Sequence, residues 1–152
     1  MRWPRWLTFP RQPDIEIGGH ADPYLRRWYV IPRNRWANVY LHQFCRSDDD
    51  RALHDHPWFN ISIILRGRYF EHMQDGTVLL RKAGRIVCRP SIAAHRIELL
   101  LDQDFSERRV WTLFITGPKV RDWGFWCPQG WRHWEDFTKP GDSTLIGRGC
   151  DD

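Results

Sequence analysis

Residues 54–67, HDHPWFNISIILRG, set His54 and His56 two positions apart at the head of an apolar run that closes on Gly67. In an extended strand, side chains at i and i+2 leave the same face. Both imidazoles therefore project together, within reach of one metal ion. The same alternation carries Trp58, Asn60, Ser62 and Ile64 to the histidine side, and Phe59, Ile61, Ile63 and Leu65 to the other. The polar minority shares the histidine face, as it would in a lined cavity. Taken alone, the pair equally describes two polar residues at a strand entrance in water.

A second stretch, GRIVCRPSIAAHRIEL, supplies what the pair lacks: Gly84, then Pro90, then His95. The two stretches together resemble the paired motifs of the cupin superfamily, G(X)5HXH(X)3-4E(X)6G and G(X)5PXG(X)2H(X)3N. The matching residues are His54, His56 and Gly67 in the first, and Gly84, Pro90 and His95 in the second. The resemblance covers residues 37–118. It implies an all-β fold, a single antiparallel jelly-roll barrel, in which His54, His56 and His95 meet at one divalent metal. Three positions depart from the pattern: Asn60 stands for the metal-binding Glu, Ile92 for the internal Gly and Leu99 for the terminal Asn. Three neutral imidazoles leave the charge of a divalent ion uncompensated, which favours a substrate that brings its own negative charge. Asn60 can orient a water or bind weakly through its amide oxygen. Of the nearest acids, Glu98 has the wrong parity relative to His95, and Glu71 remains a candidate ligand.

Within the superfamily, the thiol dioxygenases also use three histidines without the carboxylate. The HDH triplet and the run AHRIELLL through VWTLFITGP are similar to theirs. The stretch RRWYVIPRNRWANVYLHQF resembles the region in which they place an arginine on the substrate carboxylate, so Arg27 or Arg33 is the implied counterpart. A guanidinium suits that task because its planar fork meets both oxygens. Tyr40, Trp58 and Ser62 are further substrate-binding candidates, and His42, which alternates with Tyr40 and Phe44, is either a partner to a ligand imidazole or a core histidine. Phe114 and Thr116 occupy the positions of the catalytic His and Tyr, and neither is a general base or a phenolic acid. The resemblance thus implies iron(II) and oxygen insertion into a small anionic substrate, with Zn, Ni, Mn or Cu also suited to imidazole. A binding module that holds a small ligand without turnover is the competing expectation.

The elements that must position these residues are short β-type runs: ANVYLHQFC, WFNISIILRG, RYFEH, TVLLRK, GRIVCRP, HRIELLL and VWTLFITGP, each bounded by Gly, Pro or Asp-rich breaks. Around this core, residues 1–36 read as an arm rich in Pro, Arg and Trp with at most a short helix near Tyr24 to Trp28. Residues 119–137 read as an aromatic C-terminal arm, and 138–152 as a polar tail without order. The 152 residues fit one domain, 41% hydrophobic and 28% charged. Six of the ten tryptophans lie in the two ends: Trp3, Trp6, Trp123, Trp126, Trp131 and Trp134. They suit packing on the core or a homodimer interface.

Net charge is +4 with 23 basic against 19 acidic residues. The basic residues are interleaved with acids along the chain, which does not indicate nucleic acid as a partner. No apolar run reaches membrane-spanning length and no signal peptide is apparent, so cytoplasmic residence is expected. Cys45, Cys88, Cys127 and Cys150 show no paired spacing and read as free thiols, Cys88 as a buried one. Asp55, between the two histidines, points away from them by parity and is expected to fix backbone.

Overall fold

The computed structural model describes residues 11–48 and 52–151. Its strands are β1 (Ile15–Ile17), β2 (Leu25–Tyr29), β3 (Asn38–Phe44), β4 (Leu53–His54), β5 (Asn60–Arg66), β6 (Arg68–Met73), β7 (Val78–Lys82), β8 (Ile86–Arg89), β9 (His95–Leu99), β10 (Val110–Thr116), β11 (Gly124–Cys127), β12 (Gly130–His133), β13 (Thr138–Lys139) and β14 (Asp142–Ile146). A single helical turn, α1 (Trp134–Phe137), lies among them. The seven β-type runs correspond to β3 and to β5 through β10. The expected helix near Tyr24 is instead β2, which pairs along its length with β3.

Closure into a barrel is where the structure departs from expectation. The strands form two open six-stranded antiparallel sheets, ordered β1-β2-β3-β10-β5-β8 and β12-β11-β4-β9-β6-β7, with β13-β14 as a separate hairpin. Jelly-roll closure would require ladders between the sheet edges, and among the described residues β7 pairs only with β6 and β8 only with β5. The reason lies at the corners. Gly67 carries the chain from β5 in the first sheet to β6 in the second, and Gly84 carries it back from β7 to β8, with φ of +88° and +87°. Such left-handed residues turn the backbone sharply and interrupt the ladder. A side chain at Gly67 would also sit 3.0 Å from the Arg109 carbonyl oxygen. The two motif glycines are therefore sheet-switching corners.

The sheets are held face to face by a shared core. Leu25, Phe44, Ile64, Val87 and Val110 enter it from the first sheet, and Tyr69, Ile97 and Leu99 from the second. On β8 the inward residues are Val87 and Arg89, so Ile86 and Cys88 point outward and Cys88 is exposed rather than buried.

Residues of both expected arms are built into this frame. Residues from the expected N-terminal arm supply β1 and β2, the outer strands of the first sheet. In the C-terminal arm, β11 pairs with β4 and β12 with β11, extending the second sheet. Beyond it, where a polar tail was expected, Gly18 N–H bonds the Thr144 carbonyl at 2.8 Å and docks β14 beside β1. Cys127 and Cys150 form a disulfide, a correction to the expectation of four free thiols. Its spacing of 23 residues hides the pairing in the sequence, and β11 and the return of the chain after β14 bring the two together. Trp3 and Trp6 lie outside the described residues.

Closing a loop of this size contributes about 3 kcal/mol by the chain-entropy account. Cys150→Ser should lower the melting temperature by roughly 6–12 °C. Thermal unfolding with and without a dithiol checks this, because the reductant should reproduce the shift in the wild type and add nothing in the variant.

Candidate metal centre

Two paired strands of the second sheet, β4 and β9, and the residues after β4 build the site. His54 ends β4, His95 begins β9 directly opposite it in register, and His56 follows β4 by two residues. One nitrogen from each of His54, His56 and His95 lies within 4.8 Å of the others. The Nε2 atoms of His56 and His95 are 3.0 Å apart. Two nitrogens bound at right angles to an ion about 2.1 Å from each would stand about 3 Å apart. The cluster is capable of coordinating a divalent ion.

His54 and Asn60 do not belong to one strand, as the alternation had suggested. The chain crosses from the second sheet to the first between them, and their side chains converge because the two sheets face the same interior.

His95 is held from behind. Its Nδ1 is 2.7 Å from Oε1 of Glu71, whose side chain is fully buried on β6. With Nδ1 as the donor, Nε2 is left as the lone-pair atom facing His56. Glu71 also accepts from Arg89 Nε at 2.7 Å and from Arg81 Nε at 2.6 Å. Although burial opposes its ionisation, the bonds from His95 and the two guanidiniums hold its carboxyl well below the usual range. Burial likewise pushes His95 down to about 3, against the raising effect of Glu71. His56 is driven well below its ordinary value by burial, with neighbouring His54, His95, Arg89 and Arg27 adding to it. Imidazoles held neutral are in the form that ligates metal.

Asn60 is fully buried, and its Oδ1 accepts a long bond of 3.4 Å from Arg89 Nη1 while Nδ2 has no partner. The guanidinium sets the amide orientation, since the flipped form would oppose two donors. Asn60 thus offers an N–H rather than a ligand oxygen. Ser62 Oγ accepts from the same guanidinium at 3.0 Å.

A cavity of about 380 Å³ opens from the histidines into the space between the sheets. Of the substrate-binding candidates, Arg27, Trp58 and Ser62 line it, as does His42. Trp58 stacks on His56 with ring centres 5.4 Å apart. Arg27 Nε donates to His42 Nε2 at 2.9 Å, and its guanidinium carbon lies 4.7 Å over the Tyr40 ring. Tyr40 is buried beneath this layer, away from the cavity. Arg33 is exposed, over Tyr29, and does not reach the cavity. His42 stacks on Phe114 at 4.9 Å, and burial and the Arg27 charge push it well below its ordinary value. Phe114 lines the cavity and Thr116 is buried in the sheet.

No family model matches this chain, and no curated protein matches it. Among solved structures, a putative mannose-6-phosphate isomerase from Ralstonia eutropha is similar over 78% of this chain and 99% of its own, with 11% identity and a TM-score of 0.53. An uncharacterized conserved protein with a double-stranded β-helix domain from Klebsiella pneumoniae is similar over 72% and 90%, with 15% identity and a TM-score of 0.52. The fold is cupin-like. At these identities the likeness concerns architecture alone, and the histidine cluster rests on this chain's own geometry.

Several site features escaped the sequence reading. From sequence Glu71 reads only as a candidate ligand, and Arg89 matches no motif. Alternation with the buried Tyr69 and Val87 was the signal that both point inward. Asp48, the one aspartate of the SDDD run among the described residues, lines the cavity, accepts from Ile97 N–H at 2.7 Å and lies 3.9 Å from His54 Nδ1. Asp55 does fix backbone: Oδ1 accepts from Gly124 N–H at 2.9 Å, and Oδ2 from the indoles of Trp126 and Trp131 at 3.2 and 3.0 Å.

Glu71→Gln should weaken metal binding about 10- to 100-fold, the usual effect of losing a carboxylate behind a ligand histidine. Competition titration with a chromophoric chelator measures this. Unchanged affinity would show that Glu71 serves packing alone.

Proposed function

We propose that this chain is a three-histidine metalloprotein that binds a small anionic molecule beside its ion and acts on it with dioxygen, iron(II) being the favoured metal. The observation that carries the reading is the convergence of three imidazoles, His95 fixed by Glu71, with no carboxylate in the ligand cluster of the described residues. Iron(II) in such a site supplies one-electron and dioxygen chemistry. The protein's part is charge and position. Behind the histidines Glu71 is offset by two arginines, and Arg27 lines the cavity, so an anion between Arg27 and the ion meets favourable charge on both sides. Arg27 grips the anionic group, Trp58 shields one side of His56 from water, and Asn60 Nδ2 donates to the bound molecule or to a water beside it.

A second reading, a binder without turnover, is favoured by Phe114 and Thr116, which leave no proton-transfer group at those positions. The two readings share the metal site and differ in oxygen use. Purified protein should carry close to one equivalent of metal, and His95→Ala should lose it. Oxygen uptake by the iron-loaded protein with a panel of thiols, diketones and carboxylates then separates them. Retained metal in the variant would sink the three-histidine assignment, and ligand binding without oxygen consumption would leave the binder.

A homodimer is proposed with either reading. The edge strands β7 and β8 expose Val78, Leu80 and Ile86, apolar residues that a second copy would cover. Light scattering should return twice the 18.4 kDa chain mass; a monomer at micromolar concentration refutes it. The Cys127–Cys150 disulfide belongs with an oxidising compartment, which weighs against the cytoplasmic residence expected from sequence. No helix among the described residues is long and apolar enough to cross a membrane.

A further inference from the structure

The cavity is larger and more apolar than a minimal anion requires. Its volume of about 380 Å³ is room for roughly a dozen waters. Two charged side chains other than histidine line it, Arg27 and Asp48. Asp48 is negative and already accepts from Ile97 N–H. Arg27 has no carboxylate partner among the described residues; its Nε is spent on neutral His42. A largely buried cation without an anion is costly, so the occupant brings one negative group. Among the described residues no second cationic side chain lines the wall and Asp48 opposes a further negative group, so one carboxylate beside the ion is what the site takes.

Beyond the guanidinium the wall turns apolar at once. Ile15 is the cross-strand neighbour of Arg27, and Ile17 of Leu25. Phe44 and Leu145 continue the surface. Leu145 is held there by the Gly18–Thr144 bond and, through the chain, by the Cys127–Cys150 disulfide. This part of the wall is therefore anchored, not a loose flap. Water in an apolar pocket is readily displaced by an apolar body.

We infer that the cavity takes an amphipathic monocarboxylate, its carboxylate between Arg27 and the histidine cluster and an apolar body on the order of ten heavy atoms along Ile15, Ile17, Leu25, Phe44 and Leu145. The inference deepens the proposed function and rests on it for the metal side of the carboxylate.

Calorimetric titration of metal-loaded protein with straight-chain carboxylates from acetate to dodecanoate tests it. Affinity should rise up to about fourfold per methylene until the cavity fills, then fall. Ile17→Trp should move that optimum to a shorter chain. Arg27→Met should cut the preference for a carboxylate over the alcohol of equal length by about tenfold or more without changing metal stoichiometry. A flat series in the wild type, or equal binding of alcohol and carboxylate, overturns the inference. Failure of the metal reading looks different: a protein that takes up no metal yet keeps the chain-length optimum and the Arg27 dependence supports the cavity assignment alone. A metal-loaded protein with a flat series does the reverse.

Discussion

The buried carboxylate of Glu71 is the constraint on which the rest of the structure depends. It stands on the second sheet, and one of its partners, Arg89, stands on the first, so the ion pair bridges the two layers near the histidines. The same oxygen that meets Arg89 meets His95 Nδ1. Packing of the sheets and orientation of a ligand imidazole are thus one interaction. Deleting the carboxylate would leave Arg89 buried without its anion, an error that costs about 3–5 kcal/mol. The price is tolerable in the native state because every member has partners: Arg89 also meets Ser62 and Asn60, and Arg81 closes the second oxygen. Seen this way, the absence of a carboxylate at Asn60 does not strip negative charge from the centre. It lies one layer further out, where two guanidiniums offset it and the ligand cluster stays cationic once loaded.

The HDH triplet divides its labour by side-chain parity. His54 and His56 turn toward the cavity, and Asp55 turns the other way to receive a backbone N–H and two indoles of the C-terminal segment. Arg121 closes the arrangement at 3.0 Å from Asp55. The aromatic arm is therefore pinned to the strand that carries the first histidine. Phe125 and Phe137 stack at 3.6 Å beside it, and both face the cavity. Cavity wall and histidine cluster are coupled through one three-residue stretch.

Much of the two-sheet core was legible from local pattern. β3 and β5 through β10 show strand-type composition over four or more residues, enough for alternation to declare itself. Gly67, Gly84, Pro90 and the three histidines were legible for a different reason, since they carry the resemblance to the paired cupin motifs. The strand β4 was not legible, because two residues have no period. Nor was the choice of Arg27 over Arg33, for both lie in the same Arg-rich stretch and only the pairing of β2 with β3 turns one of them inward.

What this sequence determines by itself is the β texture, which follows from residue type and alternation, and the resemblance to the cupin motifs, which implies the histidine trio and the lack of a carboxylate at position 60. Whether the sheets close, which cysteines join, which acid stands behind His95 and what walls the cavity are decided only in three dimensions. Those features depend on residues distant in sequence and adjacent in space: Glu71 with Arg89 and His95, Cys127 with Cys150, Gly18 with Thr144. Local periodicity carries no information about which inward-facing residue will meet which; that is fixed by the order of strands in the two sheets.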